Sequence, residues 1–202
     1  MGEGLNLLTA IAAFAFGYLA GSIPFGLLLT RAAGLADIRQ IGSGNIGATN
    51  VLRTGSRTIA AATLSCDILK GTVPVVLFHY WSGEASALLA GLAAIAGHMF
   101  PVWLRFRGGK GVATAAGVFG MLTPAALLAA CGVFLGAVWI TRFISVGSIA
   151  AAITLTIVTA VSDSPAIVAA GAAIAAAVII HRHRANLARI LAGTERRVGL
   201  RL

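Results

Sequence analysis

Three short polar groups interrupt an otherwise apolar chain, and each carries residues suited to holding an anion. The first is Gly42-Ser43-Gly44-Asn45-Ile46-Gly47-Ala48-Thr49-Asn50, entered from Arg31, Asp37 and Arg39 and followed by Arg53. Glycines let backbone N–H groups come close to a ligand and form anion-binding concavities. Ser43, Asn45 and Asn50 add short donors, and the planar fork of Arg53 matches a phosphate. A turn leading into a helix cap would use some of these residues, but it has no need of this density.

The second group is Arg105-Phe106-Arg107-Gly108-Gly109-Lys110-Gly111, which opens an apolar helical run. Helix N-termini attract anions, and Lys110 adds a full charge. The pattern is not the nucleotide-binding GxxxxGK[ST], because glycine follows Lys110. Arg105 and Arg107 serve equally well as membrane-edge anchors, whereas Gly108-Gly109-Lys110-Gly111 reads as a binding loop. The third group is His181-Arg182-His183-Arg184-Ala185-Asn186, with Glu195 beyond it. His183 and Asn186 are three apart and share a helical face. A histidine here can accept a proton or hydrogen-bond a phosphate, and the same basic run also fits a solvated anchor. No carboxylate or cysteine pair accompanies these histidines, so no metal site is expected.

Two further polar points fall inside apolar runs. Asp67 and Lys70, at i and i+3, are expected to pair, since charges at membrane depth are expensive and mark either structure or a site. His98, just before Phe100-Pro101, reads as a hydrogen-bonding group at a helix end. Ser148 carries no signal of its own, because serine commonly bonds backbone in membrane helices.

The elements that must position these groups are set by the composition. The chain has 202 residues, of which 58% are hydrophobic and 10% charged, and its mean hydropathy is +0.94. Soluble domains carry about 25% charged residues, so most of this surface must face a bilayer. Lipid leaves no partner for open backbone groups, which predicts an all-α transmembrane bundle formed by a single domain, residues 1–202. Seven apolar runs are expected to be membrane helices: Leu5–Thr30, 58–81, 85–104, 111–122, 125–141, 146–162 and 166–181. The fourth is shorter than the roughly 20 residues a crossing needs. It is either a tilted short helix or part of a broken 111–141 unit in a five-helix arrangement. Cys66 and Cys131 lie in apolar runs and read as ordinary small buried residues.

With the N-terminus outside and the C-terminus in the cytoplasm, fourteen of the fifteen Lys/Arg fall on the inner side; the other is Lys70. The outer turns hold only Glu84 and Asp163. That one-sidedness follows the positive-inside rule. The net charge of +9 therefore points to topology, anionic lipid and anionic substrate, and not to nucleic acid. All three polar groups then lie on the cytoplasmic face. The residues by themselves describe a membrane protein that handles a phosphorylated small molecule there.

Six blocks carry a closer resemblance: GSIPFG (21–26), GSGNIGATNVLR (42–53), DILKG (67–71), GHMFPVW (97–103), FRGGKGVAT (106–114) and HRANLARILAGTE (183–195). In order and spacing they resemble the bacterial acyl-phosphate-dependent glycerol-3-phosphate acyltransferases, over nearly the whole chain. The one departure noted is Leu187, where the family often has isoleucine. The resemblance implies an enzyme of the cytoplasmic (inner) membrane that transfers a fatty acyl group from acyl phosphate to the 1-hydroxyl of glycerol 3-phosphate. Its products are lysophosphatidic acid and phosphate, and this is the first acylation of phospholipid synthesis. It implies no cofactor. It assigns Ser43, Arg53, Gly108, Gly109, Lys110 and Gly111 to substrate binding, with Ser148 aligned by spacing alone; Asn45 joins them as a donor of the first loop, read from the residues themselves. The resemblance makes His183 and Asn186 the residues needed for turnover, with Glu195 holding that segment; the Asp67–Lys70 pair, read from the residues alone, is expected to serve as structural support. Either His183 or a substrate phosphate oxygen takes the hydroxyl proton; in the second case His183 and Asn186 position glycerol 3-phosphate.

Two other classes compete. A transporter of a phosphorylated anion would show repeated halves and groups near the midplane, whereas these charges crowd one face. A structural membrane subunit would have no use for two glycine-rich basic loops.

Overall fold

The computed structural model describes residues 6–199. Among these residues there are ten α-helices, three short 3-10 turns and no strand. The helices sort into two compact units that divide between Met121 and Leu122.

In the first unit, α1 (Leu7–Ser22) starts at Asn6, whose side chain accepts the Thr9 N–H at 2.9 Å, a regular N-cap. It stops before Pro24, and α2 (Phe25–Ala32) follows. The run expected as one helix over Leu5–Thr30 is thus one span in two pieces; Leu5 itself, and residues 200–202 of the basic tail, lie outside the described residues. The cause is Pro24, which has no N–H and pushes the preceding residue out of the helical region. Ile23 accordingly sits at φ −63°, ψ 117°.

A four-residue α3 (Ala48–Val51) leads into α4 (Arg57–Ser82), and then α5 (Glu84–Met99) and α6 (Val112–Leu122) complete the unit. Helix α1 packs on α5 and α4, and α5 packs on α4. Small residues set these contacts. A Cβ placed on Gly17 or Gly21 of α1 would run into the Ala90 or Ala94 carbonyl of α5. This is the Gly-x-x-x-Gly spacing that lets membrane helices approach backbone to backbone. Gly71 of α4 meets the Thr114 carbonyl of α6 in the same way, and Gly117 of α6 meets Ile68 of α4.

The second unit is an antiparallel run of α7 (Pro124–Thr141), α8 (Ile144–Val161) and α9 (Ala166–Arg182), with α8 packed on both neighbours, followed by the short α10 (Arg184–Leu191). Gly147 lets α8 close on Phe134 and Val138 of α7. The tail returns to the α7–α8 turn, where the Val198 N–H donates to the Arg142 carbonyl at 2.8 Å and Arg197 lies over the Phe143 ring.

All seven apolar runs form helices in the expected order, except that the helix of the 85–104 run ends at Met99, before Pro101, and residues 102–104 form a 3-10 turn. Five spans are long and apolar enough to cross a bilayer, and a sixth is counted if α9 and α10, bent by 46°, act as one. The seventh, α6, has 11 residues, which reach about 16 Å against a hydrocarbon core of about 30 Å. Large apolar side chains such as Leu7, Leu128, Leu135 and Ile140 are exposed on the outer helix faces, as lipid contact requires. Trp81, Trp103 and Trp139 are exposed near helix ends, the level at which aromatic belts form.

Candidate active site

The first polar loop is organised by a residue that holds its neighbours. Asn50, buried in α3, presents its side-chain oxygen to the Ser43 N–H at 3.1 Å, the Ser43 hydroxyl at 3.3 Å and Arg53 Nη1 at 3.5 Å. Its amide nitrogen donates to the Ile38 carbonyl at 2.7 Å. Ser43 and Arg53 are therefore brought together through Asn50. Arg53 crosses over Gly42, which has φ +56°, and a Cβ there would strike both Arg53 and Asn50. Asn45 does something local: its side chain accepts the Gly47 N–H at 2.9 Å and shapes its own turn.

The cations upstream of this loop are tied down separately. Asp37 accepts from Arg39 Nη2 at 2.6 Å and from its Nε at 3.0 Å, with Arg31 4.0 Å away. The hydrogen bonds from the Arg39 side chain and backbone hold the Asp37 carboxyl at a pKa of about 2.

The second loop rests on the end of α5. The Gly108 N–H donates to the Met99 carbonyl at 3.1 Å, and the Gly109 N–H donates to the His98 carbonyl at 2.9 Å. A Cβ on Gly109 would overlap the His98 imidazole, and one on Gly108 would overlap the His98 carbonyl and Pro101. Gly111, at φ +82°, lies in the left-handed region and turns the chain into α6 against Met99. These three glycines are thus required by close approach and backbone geometry, and they bring half-buried Lys110 to the mouth of α6. Arg105 and Phe106 also take positive φ, at 51° and 62°.

Beneath this loop lies the expected ion pair. Lys70 Nζ is 2.8 Å from Asp67 Oδ1, and both side chains are 3% exposed. The pairing goes further than i,i+3 logic indicates. Lys70 also donates to the Ile23 carbonyl at 2.9 Å, at the break that Pro24 creates. His98 Nδ1 stands 3.6 Å from the same Asp67 oxygen. A helix interrupted by proline leaves backbone oxygen to be satisfied, and Lys70 does this from α4.

In the second unit, His183 is the joint between α9 and α10 and is 2% exposed. Its Nδ1 lies 2.8 Å from the Ile179 carbonyl. A carbonyl only accepts, so Nδ1 carries a hydrogen, and in the neutral ring the lone pair is then on Nε2. Asn186, one turn into α10, donates to Glu195 Oε1 at 2.5 Å; Arg189 donates to Oε2 at 2.6 Å, and the Ser145 hydroxyl lies 3.4 Å from Oε1. Glu195 is therefore the tie between α10 and the start of α8. Ser148 donates to the Ile144 carbonyl at 2.9 Å, the ordinary behaviour of serine in a membrane helix.

Each loop thus offers cations and donors for a phosphate, and the third group offers an oriented imidazole with a fixed amide. Among the described residues, no group of three His, Cys, Asp or Glu could hold a metal ion. In the sequence Asn50 looks like one more short donor, whereas its side-chain oxygen accepts and organises the loop. Its signal was position: it stands three residues before Arg53, one helical turn away.

Comparison with known proteins places these groups in a family. Residues 11–193 match the family described as glycerol-3-phosphate acyltransferase. A glycerol-3-phosphate acyltransferase of Rhizobium meliloti (strain 1021) is 51% identical over 195 residues, covering 96% of this chain and 95% of that protein. One of Methylorubrum extorquens (strain PA1) is 52% identical over 190 residues, covering 94% and 93%. Among solved structures, the glycerol 3-phosphate form of PlsY (YgiH), an integral membrane glycerol 3-phosphate acyltransferase, superposes with a TM-score of 0.90 at 39% identity, over 94% of this chain and 96% of that one. Its lysophosphatidic acid form superposes with a TM-score of 0.88 at 38% identity, over 94% and 95%.

Proposed function

This chain belongs to the glycerol-3-phosphate acyltransferase family, and from that premise we propose that it transfers a fatty acyl group from acyl phosphate to the 1-hydroxyl of sn-glycerol 3-phosphate. The products are 1-acylglycerol 3-phosphate and inorganic phosphate. The observation that carries the reading is the likeness, over 94% of the chain, to an acyltransferase described in both a glycerol 3-phosphate form and a lysophosphatidic acid form.

The chemistry suits the residues. Acyl phosphate is a mixed anhydride, already activated, so no covalent enzyme intermediate is needed. The difficulty lies in holding two phosphate-bearing substrates against their mutual repulsion, which calls for cations and aligned donors. Ser43 and Arg53, oriented by Asn50, and the Gly108–Gly111 loop with Lys110 supply them. His183 Nε2 takes the proton of the 1-hydroxyl as its oxygen attacks the acyl carbon, and the bond from that carbon to the phosphate oxygen breaks. Asn186, held by Glu195, positions the glycerol moiety. Ser148 keeps acceptor capacity beside its own helix. The whole chain acts as one catalytic domain.

The protein is a multi-pass membrane protein, and the finer placement is the cytoplasmic (inner) membrane, N-terminus outside, with the reaction at the cytoplasmic face. The supporting observation is the one-sided distribution of Lys and Arg. Membrane lipid takes the acyl chain and surrounds the outer helix faces.

The deciding experiment is phosphate release by the detergent-purified protein from palmitoyl phosphate, with and without glycerol 3-phosphate, alongside detection of the lysolipid. Release that depends on glycerol 3-phosphate, matched by lysolipid, is expected. No such release from folded protein across chain lengths would overturn the reading.

A further inference from the structure

His98 stands between the buried ion pair and the glycine loop, and the reaction described above gives it no part. On one edge of its ring, Nδ1 faces Asp67 Oδ1 at 3.6 Å. On the other, Nε2, Cε1 and Cδ2 fill the space where a side chain on Gly109 would be. Its backbone carbonyl accepts the Gly109 N–H at 2.9 Å. The approach to Asp67 is longer than a hydrogen bond, but the groups behind it are tied to one another. Asp67 is fixed by Lys70 at 2.8 Å, and Lys70 is fixed by the Ile23 carbonyl at 2.9 Å and by the Phe25 ring 5.8 Å below it.

An apolar side chain would fill the same volume at lower cost, because buried ion pairs are commonly replaceable by packed hydrophobes without loss of stability. What an apolar residue lacks is direction. The ring has one polar edge turned to the Asp67 carboxylate at 3.6 Å and the other packed under the backbone of Gly109. We propose that His98 is a positioning residue: packed between Asp67 and Gly109, it sets the height of the Gly108–Gly111 backbone and so the reach of Lys110 toward a substrate phosphate. This rests on the reading of that loop as a phosphate site. It also gives Gly109 a reason beyond flexibility, since the ring can support the loop only where no Cβ intervenes.

The test is a double-mutant cycle on kcat/KM, using the phosphate-release assay on the full-length enzyme. His98→Ala in the native background is expected to lower kcat/KM about 10-fold, mainly through KM, because a small displacement of a positioned group has effects of up to about 100-fold. In a Lys110→Ala background the same change should cost less than about 2-fold, because the group that His98 places is already gone. A merely structural role moves both backgrounds alike, so losses that multiply would overturn the proposal. Should His98→Ala not purify as a single monodisperse species, Asp67→Asn, which keeps side-chain volume, goes through the same cycle, and the same two outcomes decide. An inactive native enzyme would instead sink the acyltransferase reading; an active one with multiplying losses sinks only the role of His98.

Discussion

Asn50 and Arg53 share one hydrogen bond and one purpose: the amide oxygen that receives Arg53 Nη1 at 3.5 Å also receives the Ser43 N–H at 3.1 Å. Serine and arginine, ten positions apart in the chain, are oriented by a residue that itself touches neither solvent nor lipid. Asn50→Ala should therefore imitate Arg53→Ala. We expect a fall in kcat/KM of about 10- to 100-fold, expressed mainly in KM, since a hydrogen bond to a charged group is worth about 1.5–3 kcal/mol. Phosphate-release kinetics at varied glycerol 3-phosphate measure it. Near-native kinetics would mean that Ser43 and Arg53 hold their places unaided.

Arg53→Ala and Lys110→Ala should each lose activity through substrate binding, by a similar factor of about 10 to 100. Arg53→Lys is expected to recover only part of the loss, because the ammonium keeps the charge and gives up the planar fork. If both alanine variants show native KM for both substrates, the phosphate-pocket reading of the two loops is wrong.

The Nδ1 hydrogen bond to Ile179 predicts that His183 acts through Nε2. His183→Ala should reduce kcat by at least about 100-fold, the usual contribution of a positioned proton acceptor. A variant that raises KM while kcat stays native would show that a substrate phosphate takes the proton and that His183 only positions glycerol 3-phosphate.

Glu195→Ala should release both Asn186 and Arg189. Leaving partly buried donors without their carboxylate costs about 1–3 kcal/mol, visible as a lowered midpoint of thermal unfolding in detergent. Turnover should fall with it, since Asn186 loses its orientation. An unchanged midpoint would show that α10 is held by packing alone.

Asp37 gives a pH expectation with a definite sign. Its folded pKa of about 2 lies below the ordinary 3.8, so the contribution of its pairing with Arg39 is complete above about pH 4 and is lost as pH falls toward 2. Carbon-13 titration of the side-chain carboxyl should give a midpoint near 2, and Arg39→Gln should return it toward the ordinary value. A native midpoint near 4 would mean the bidentate pair does not persist in solution.

Much of this was legible in the sequence because lipid leaves few choices. Apolar runs had to form helices, and every one of them does. Asp67 and Lys70 were expected to meet at i,i+3, and they do. What stayed hidden belongs to tertiary contact. Nothing in the spacing says that Lys70 reaches 47 residues back to Ile23, because that bond exists only once Pro24 has broken the helix and α4 has packed beside the break. The close approach of Gly17 and Gly21 to Ala90 and Ala94 is likewise a property of two helices and not of one. The Gly109 case is similar: the glycine-rich loop could be read for anion binding, but the imidazole that fills the space beside it lies in another element.

The bend at His183 has a mechanical consequence. Two levers meet there at 46°, one long and apolar, one short and polar. The long arm keeps the direction that packs it against α8, and the short arm takes another, which the bond from Asn186 to Glu195 holds. The imidazole stands where the two directions meet, so its place is set from both sides.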